Sequence, residues 1–284
     1  MNTALKRYQG RRIALLTQHG KERVIAPVLD AALGCRVELV HGFDTDALGT
    51  FTRDVARAGS QLDAARKKAR IGMDLSGLPL GLASEGVFGA DPLTGLIPWN
   101  VELLLFIDDE RKIEVTGLAQ QATLFSHRLA ATWQKAAAFA HSAGFPTHHL
   151  VVRPQDRDDA RINKGIDSWT AFETSFRRAH AQAENGLVFL ENDVRAQGHP
   201  TRMKVIGLAA DDLARKLNSP CPACGVAGFQ VVQRLDGLAC ADCGAPTRQI
   251  RAEVYGCLQC AHRQTRERAD GQSADPQGCD YCNP

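Results

Sequence analysis

The sequence predicts an α/β protein, a layered mixed sheet flanked by helices, followed by a small C-terminal zinc-ribbon module. Two observations predict this. Up to residue 218, short apolar runs alternate with amphipathic stretches of helical period, the pattern of a sheet with helices packed on it. Beyond Pro220 the character changes, and eight of the nine cysteines fall there as four Cys-x-x-Cys pairs. The expected organisation is therefore a body over 1–218 and a metal module over 219–284, parted at Asn218–Pro220 where a helix ends.

The strand runs expected in the body are Arg12 to Leu16, Arg36 to Val40, Leu80 to Ala83, Glu102 to Asp108, Ile113 to Gly117, His149 to Arg153 and Leu187 to Glu191. Helical period is read over Lys21 to Leu33, Phe51 to Ala69, Ser126 to Ser142, Ser168 to Glu184 and Pro200 to Leu217. Asp108-Asp109 opens a turn that makes a hairpin of its flanking strands, and Ser84-Glu85-Gly86 reads as the turn that ends the third strand.

Composition excludes several classes. With 284 residues, 44% hydrophobic and 23% charged, the chain has material for one large core and a satellite. Thirty-four Lys and Arg against 32 Asp and Glu give no global attraction for a polyanion. No apolar stretch reaches the ~18 residues of a membrane span, and Met1 to Gly20 has no signal-peptide core. The expectation is a cytoplasmic protein without a membrane partner.

The cysteine pairs are Cys221/Cys224, Cys240/Cys243, Cys257/Cys260 and Cys279/Cys282. Two thiolates two residues apart bend around one ion, and two such knuckles complete a tetrahedral zinc site, so eight ligands imply two structural zincs. Gly225 and Gly244 follow the second ligand of their knuckles, where the turn calls for positive φ. Taken in order, the first two pairs share one zinc and the last two the other. An interleaved arrangement stays open, including one that joins Cys240/Cys243 to Cys257/Cys260 through the strand-like run from Gln249 to Tyr255. From Ser219 onward there are six Arg, no Lys and seven acids, the wrong balance for a phosphate-binding surface. A protein partner for the module is expected rather than nucleic acid.

In α/β sheets ligands bind beyond the carboxyl ends of strands, so polar residues there are the candidates. His19 and Lys21 lie in the Thr17-Gln18-His19-Gly20-Lys21 turn, where a helix start and an ammonium suit a phosphate. Glu85, beside Gly86, is a candidate general base or metal ligand. Glu191 and Asp193 project to one face with Arg195 following, and Arg202 sits in the first turn of the next helix, where a cation needs an anion nearby. In Asn163-Lys164-Gly165 a Lys beside Gly, after a polar loop, is a further candidate for contact with phosphate.

The chain resembles an uncharacterised bacterial family that combines the early His-Gly-Lys-Glu turn, Ser-Glu-Gly-Val-Phe-Gly, Glu-Asn-Asp-Val-Arg-Ala with Pro-Thr-Arg-Met, and a Cys-rich tail. Residues 12 to about 117 are similar in order to the inosine triphosphate pyrophosphatases. The resemblance aligns Thr17 to Lys21 with their Thr/Ser-x-Asn-x-x-Lys turn, with His19 for Asn and the Lys one place early. It matches Asp54 and Lys67 or Lys68 to a helix bearing an acid and a Lys, Ser84-Glu85-Gly86 to an acidic strand end, and Ser126-His127-Arg128 to a helix start.

What this resemblance implies is Mg²⁺-dependent hydrolysis of a nucleotide or related phosphorylated small molecule. Glu85, Glu191 and Asp193 would be catalytic and hold magnesium, while His19, Lys21, Arg195 and Arg202 would bind substrate. The competing expectation is a non-catalytic adaptor that binds a small anion and contacts a protein through the zinc ribbon. The six residues Lys21, Glu85, Glu191, Asp193, Arg195 and Arg202 are expected to share one cleft.

Overall fold

The computed structural model describes residues 7–45 and 59–284, which form a mixed α/β fold of layered sheets flanked by helices, with a C-terminal cysteine module. They divide into two compact units, Tyr8–Ala214 and one that takes in Arg215–Pro284.

In the first unit, β1 (Arg12–Leu16), β2 (Arg36–Val40), β3 (Leu80–Ala90), β4 (Pro98–Asp108) and β5 (Ile113–Ala122) build a sheet of order β2-β1-β3-β4-β5. β1 runs parallel to β2 and β3, whereas β3, β4 and β5 form an antiparallel meander. The helix α1 (Glu22–Leu33) crosses between β1 and β2, and Gly34 ends it in the left-handed region, the usual helix terminator. Helix α2 (Gln61–Ser76) starts on a capping box between Ser60 and Asp63. Its Ala65, Ala69 and Met73 pack on Ala83, Leu103, Leu105 and Ile107, which alternate along β3 and β4 as one face of a pleated sheet must.

A second, antiparallel sheet has the order β6-β9-β7-β8, from β6 (His127–Ala130), β7 (Leu150–Pro154), β8 (Asn163–Ile166) and β9 (Val188–Asn192). One face carries α3 (Trp133–Ser142) and α4 (Trp169–Gln182) over a core that includes Leu150, Val152, Leu190, Phe145, Phe172 and Phe176. The last body helix, α5 (Pro200–Leu217), follows a short 3₁₀ turn at Ala196–Gly198.

Two readings are corrected. β3 does not stop at Ala83, because β4 pairs with it from Leu80↔Asp108 to Ala90↔Pro98, so Ser84-Glu85-Gly86 lies inside a strand. The turn comes later, and its acid is Asp91, which accepts the amides of Leu93, Thr94, Leu96 and Ile97. Those bonds, with Thr94 and Ile97 foremost, hold its carboxyl well below the ordinary range. Second, Ser126-His127-Arg128 does not open a helix. Residues His127 to Ala130 pair with β9, and α3 begins only after Thr132, whose side chain accepts the Lys135 amide. Asn163-Lys164-Gly165 falls in strand β8. The helix expected over Phe51 to Ala69 corresponds to α2 where it can be followed; Asp54 lies outside the described residues.

Gly117 shows how closely α5 seats on the meander. A Cβ there would come within 2.6 Å of Leu213 Cβ and 2.8 Å of the Leu213 nitrogen, neither of which can yield without moving the helix. Gly117→Ala should therefore lower stability by about 1–3 kcal/mol, read from the midpoint of urea denaturation at unchanged slope.

Candidate functional site

The cysteine module is built on β10 (Gln230–Asp236), β11 (Ile250–Gly256) and β12 (Arg263–Glu267), paired antiparallel in that order. Its apolar interior is small, with Val226, Ala227, Phe229, Leu238, Ala252 and Ala274 buried. Two four-sulfur clusters flank it: Cys221, Cys224, Cys257 and Cys260 form one, and Cys240, Cys243, Cys279 and Cys282 the other. The pairing is thus interleaved, first knuckle with third and second with fourth. Neither the sequential order nor the junction of Cys240/Cys243 with Cys257/Cys260 is what the chain adopts.

The sulfur geometry fits zinc. Contacts across the clusters are 3.8 Å for Cys221–Cys260, 3.5 Å for Cys224–Cys257, 3.8 Å for Cys240–Cys282 and 3.6 Å for Cys243–Cys279. A tetrahedron with Zn–S of ~2.3 Å has edges of about 3.8 Å, whereas a disulfide would bring two sulfurs to ~2.05 Å. The knuckles are preshaped by backbone bonds: the Gly225 amide donates to the Cys221 carbonyl and that of Gly244 to the Cys240 carbonyl, with φ of 73° and 72°. The amides of Gln259 and Cys260 also donate to Cys257 Sγ, as suits a charged thiolate. Each cluster can hold one structural zinc.

In the body, β1 ends at Leu16 while β3 runs on beside it. The connection to α1 needs two left-handed residues, His19 at φ 68° and Gly20 at 73°. It places Lys21 against the exposed flank of β3, with Nζ donating to the Ser84 carbonyl at 3.1 Å. Lys21 is buried, and that burial, followed by the repulsion of Arg202, pushes its pKa down to about 7 despite the attraction of Glu102 and Glu85. His19 turns elsewhere, its Nδ1 3.1 Å from Gln197 Oε1.

Register decides where the acids point. Glu85 faces Leu103 across the β3–β4 ladder and so lies on the α2 side of the sheet, where it forms an ion pair with Lys68. Glu102 faces Gly86 on the opposite side. There it accepts from Arg202 Nε at 2.7 Å and from Asn100 Nδ2 at 2.9 Å. A Cβ on Gly86 would sit 2.6 Å from Arg202 Nη2 and overlap the Glu102 carboxylate. The smallness of Gly86 thus makes room for this ion pair, not for a substrate approaching Glu85.

Arg202 also donates from Nη1 to the Val194 carbonyl at 2.6 Å, which ties the Glu102 side of the first sheet to the segment leaving β9. Beside that carbonyl, Asp193 grips Arg195 through both oxygens and accepts the Gly165 amide at 2.9 Å. Glu191 sits further back on β9 with Arg153 Nε 3.8 Å away. Lys21, Glu85 and Arg202 are therefore neighbours around the end of β1, Asp193 and Arg195 are one residue removed through Val194, and Glu191 has a separate cation. Glu102 and Asn100 were missed as site residues. Their only sequence trace is two polar residues at alternate places before an apolar strand, and the partner face cannot be known without the register.

Buried histidine supports this arrangement. His199 Nδ1 accepts the Arg202 amide at 3.1 Å, so Nε2 carries the proton it donates to the Leu124 carbonyl at 2.8 Å. Burial drives its pKa down to about 4, so the ring is neutral and acts as the cap of α5.

Residues 68–284 match the family described as Domain of unknown function (DUF6671). The chain belongs to that family. No curated protein and no solved structure matches it. The match takes in Glu85, Glu102, Arg202 and all eight zinc-site cysteines of this DUF6671 chain, whereas Lys21 lies before it.

Two outcomes follow from this chemistry. The module should carry two zincs per chain, one for each cluster. Because the loop closed by the first site contains the second knuckle, Cys221→Ser should lose both ions rather than one and leave the body folded. Metal analysis together with the denaturation curve of the body checks this, and a clean one-zinc product would refute the coupling. Lys21 binds a proton less readily folded than unfolded, so its burial costs most stability below pH 7, and stability rises with pH from about 7 towards its ordinary value of 10.5. Lys21→Met should flatten that rise, as measured by urea midpoints from pH 7 to 10.

Proposed function

We propose that the body is a magnesium-dependent hydrolase of a nucleotide or a related phosphorylated small molecule. The observation that carries this reading is Lys21, buried at the end of β1 beside Arg202 and Lys68 as well as Glu102 and Glu85. Burial and the neighbouring cations press it towards its neutral form, and a phosphate bound there would restore the charged ammonium by supplying the opposite sign. The left-handed backbone of His19, a conformation uncommon outside glycine, adds support, since strain of this kind collects at ligand sites. The similarity in order to the inosine triphosphate pyrophosphatases, which sets Lys67 or Lys68 and Ser84-Glu85-Gly86 against motifs of that family, points the same way.

Glu85 and Glu102 lie on opposite faces, so one ion would not be ligated directly by both. Magnesium is commonly held by one or two carboxylates with water and the substrate phosphates making up the rest, and that is the arrangement proposed for Glu85. Glu102 Oε2 is buried with no hydrogen-bond partner among the described residues, which leaves a second oxygen for a cation or for metal-bound water. Bound at Glu85, magnesium would supply Lewis-acid charge at a phosphoryl oxygen. The residues' own part is to place Lys21 and Arg202 where phosphate charge accumulates, with Asp193, Arg195 and Glu191 further along the same path.

A second reading rests on a specific observation: Glu85, Glu102, Glu191 and Asp193 each already have a basic partner in Lys68, Arg202, Arg153 and Arg195. Such matched pairs suit a non-catalytic body that binds a small anion at Lys21, with the zinc module as its contact to a protein. The deciding experiment is a nucleotide and phosphoester hydrolysis screen with and without Mg²⁺. Glu85→Gln should abolish Mg²⁺-dependent turnover. Since Glu85 is buried and paired, the variant should also lose about 1–3 kcal/mol of stability, so it is assayed where circular dichroism shows it folded. Wild-type protein that binds nucleotide but turns over nothing would leave the second reading standing.

A further inference from the structure

A groove of about 340 Å³ opens on the body between α4 and the β7–β8 pair, away from the Lys21 cluster. Its volume falls at the small end of ligand pockets, ~300–1,000 Å³. Val152, Ile162 and Ala179 line it with hydrocarbon, and two of these, Val152 and Ala179, are buried in the core beneath α4. The charged residues that line it, Arg161 and Arg178, are both basic.

Arg161 on the rim is fixed. It grips Asp159 through Nε at 2.9 Å and through Nη2, and its Nη1 donates to the Gln182 carbonyl at 3.1 Å. The pairing holds the Asp159 carboxyl down to about 2, so the two charges cancel at any ordinary pH. Arg178 on the facing helix is different. It is exposed, the residues one turn away on α4 are Thr174 and Gln182, and the nearby acid Glu173 is taken by Arg177. Among the described residues Arg178 makes no ion pair and holds its charge over the apolar floor, while the further acid near the rim, Glu184, acts on Arg161. Asn163 donates one amide N–H to Ser175 Oγ at 2.6 Å, whose own proton goes to the Ala171 carbonyl. By its valence Asn163 keeps a second N–H and its oxygen for a ligand.

We propose that this groove binds a small organic monoanion, a carboxylate on a compact apolar body, with Arg178 holding the charge, Asn163 bonding its oxygen, and the ring or chain seated on Val152 and Ile162. The site stands independently of any hydrolase activity. It also has a built-in route to the rest of the body: Asn163 begins β8, and two residues on, the Gly165 amide binds Asp193 Oδ2 at 2.9 Å.

The test is titration of the full-length zinc-loaded protein with benzoate, with neutral benzamide as the control of equal shape, followed by calorimetry and saturation-transfer NMR. Benzoate should bind saturably and benzamide should not. In Arg178→Glu, an exposed change that leaves the core intact, benzoate affinity should fall roughly tenfold or more, the scale of one charge-assisted hydrogen bond. Arg178→Lys should recover part of the loss. Absence of saturation by benzoate, equal affinity in wild type and Arg178→Glu, or equal binding of benzamide would each overturn the proposal.

Discussion

Inside the body, the guanidinium of Arg202 holds a carboxylate of the five-stranded sheet with one edge and a carbonyl beyond the end of the four-stranded sheet with the other. Much of the body's arrangement depends on this cation being where it is. The Phe88 ring lies 5.6 Å from it, the neutral His199 caps the helix that carries it, and Gly86 is small because the ion pair occupies the space a side chain would need. Arginine suits the position because its planar fork bonds in several directions and stays charged when buried. An ordinary core residue would fill the volume but leave Glu102 without a counter-charge, and breaking such a pair costs several kcal/mol, of order 3–5.

This constraint also explains why the polar residues of β3 and β4 are divided between two faces. On one side α2 brings a lysine to Glu85, and on the other α5 brings an arginine to Glu102. Lys21 sits where β1 has stopped, close enough to both to feel their charges. The end of a parallel strand beside a longer neighbour exposes that neighbour's carbonyl to a side chain, and the ammonium of Lys21 uses it at Ser84. The fold thus concentrates charge at the carboxyl end of β1 without any catalytic assumption, in keeping with the general placement of ligand sites in α/β sheets.

Much of the architecture was legible in the chain. The alternation of apolar runs and amphipathic stretches marks β1, β2, α1, β7, α4, β9 and α5 to within a residue or two, because their buried faces have a clear period. What misled was local polarity. Ser84-Glu85-Gly86 looks like a turn, yet a partner strand and a lysine from α2 satisfy it as strand, and His127 to Ala130 has a helical neighbourhood but a strand partner in β9. Those outcomes are set by contacts across long stretches of sequence that no window contains. The same holds at the site, where Lys21 and Arg202 attract notice by their local setting but Glu102 becomes visible only through its register with Gly86. It holds again in the cysteine module, whose ligands are plain from spacing while their partnership is not.

The interleaving of those ligands bears on the order of events during synthesis. With sequential pairing, a first metal site would be complete once residue 243 had left the ribosome, and its hairpin could fold while the rest was still being made. Here the first cluster waits for Cys260 and the second for Cys282, so that both remain open until most of the module has been synthesised. The body, whose last strand and helix are finished by Leu217, can organise beforehand, as domains made earlier generally do. The nascent module must meanwhile keep its first four thiols reduced and unpaired, which ties its assembly to the reducing power and free zinc of its surroundings.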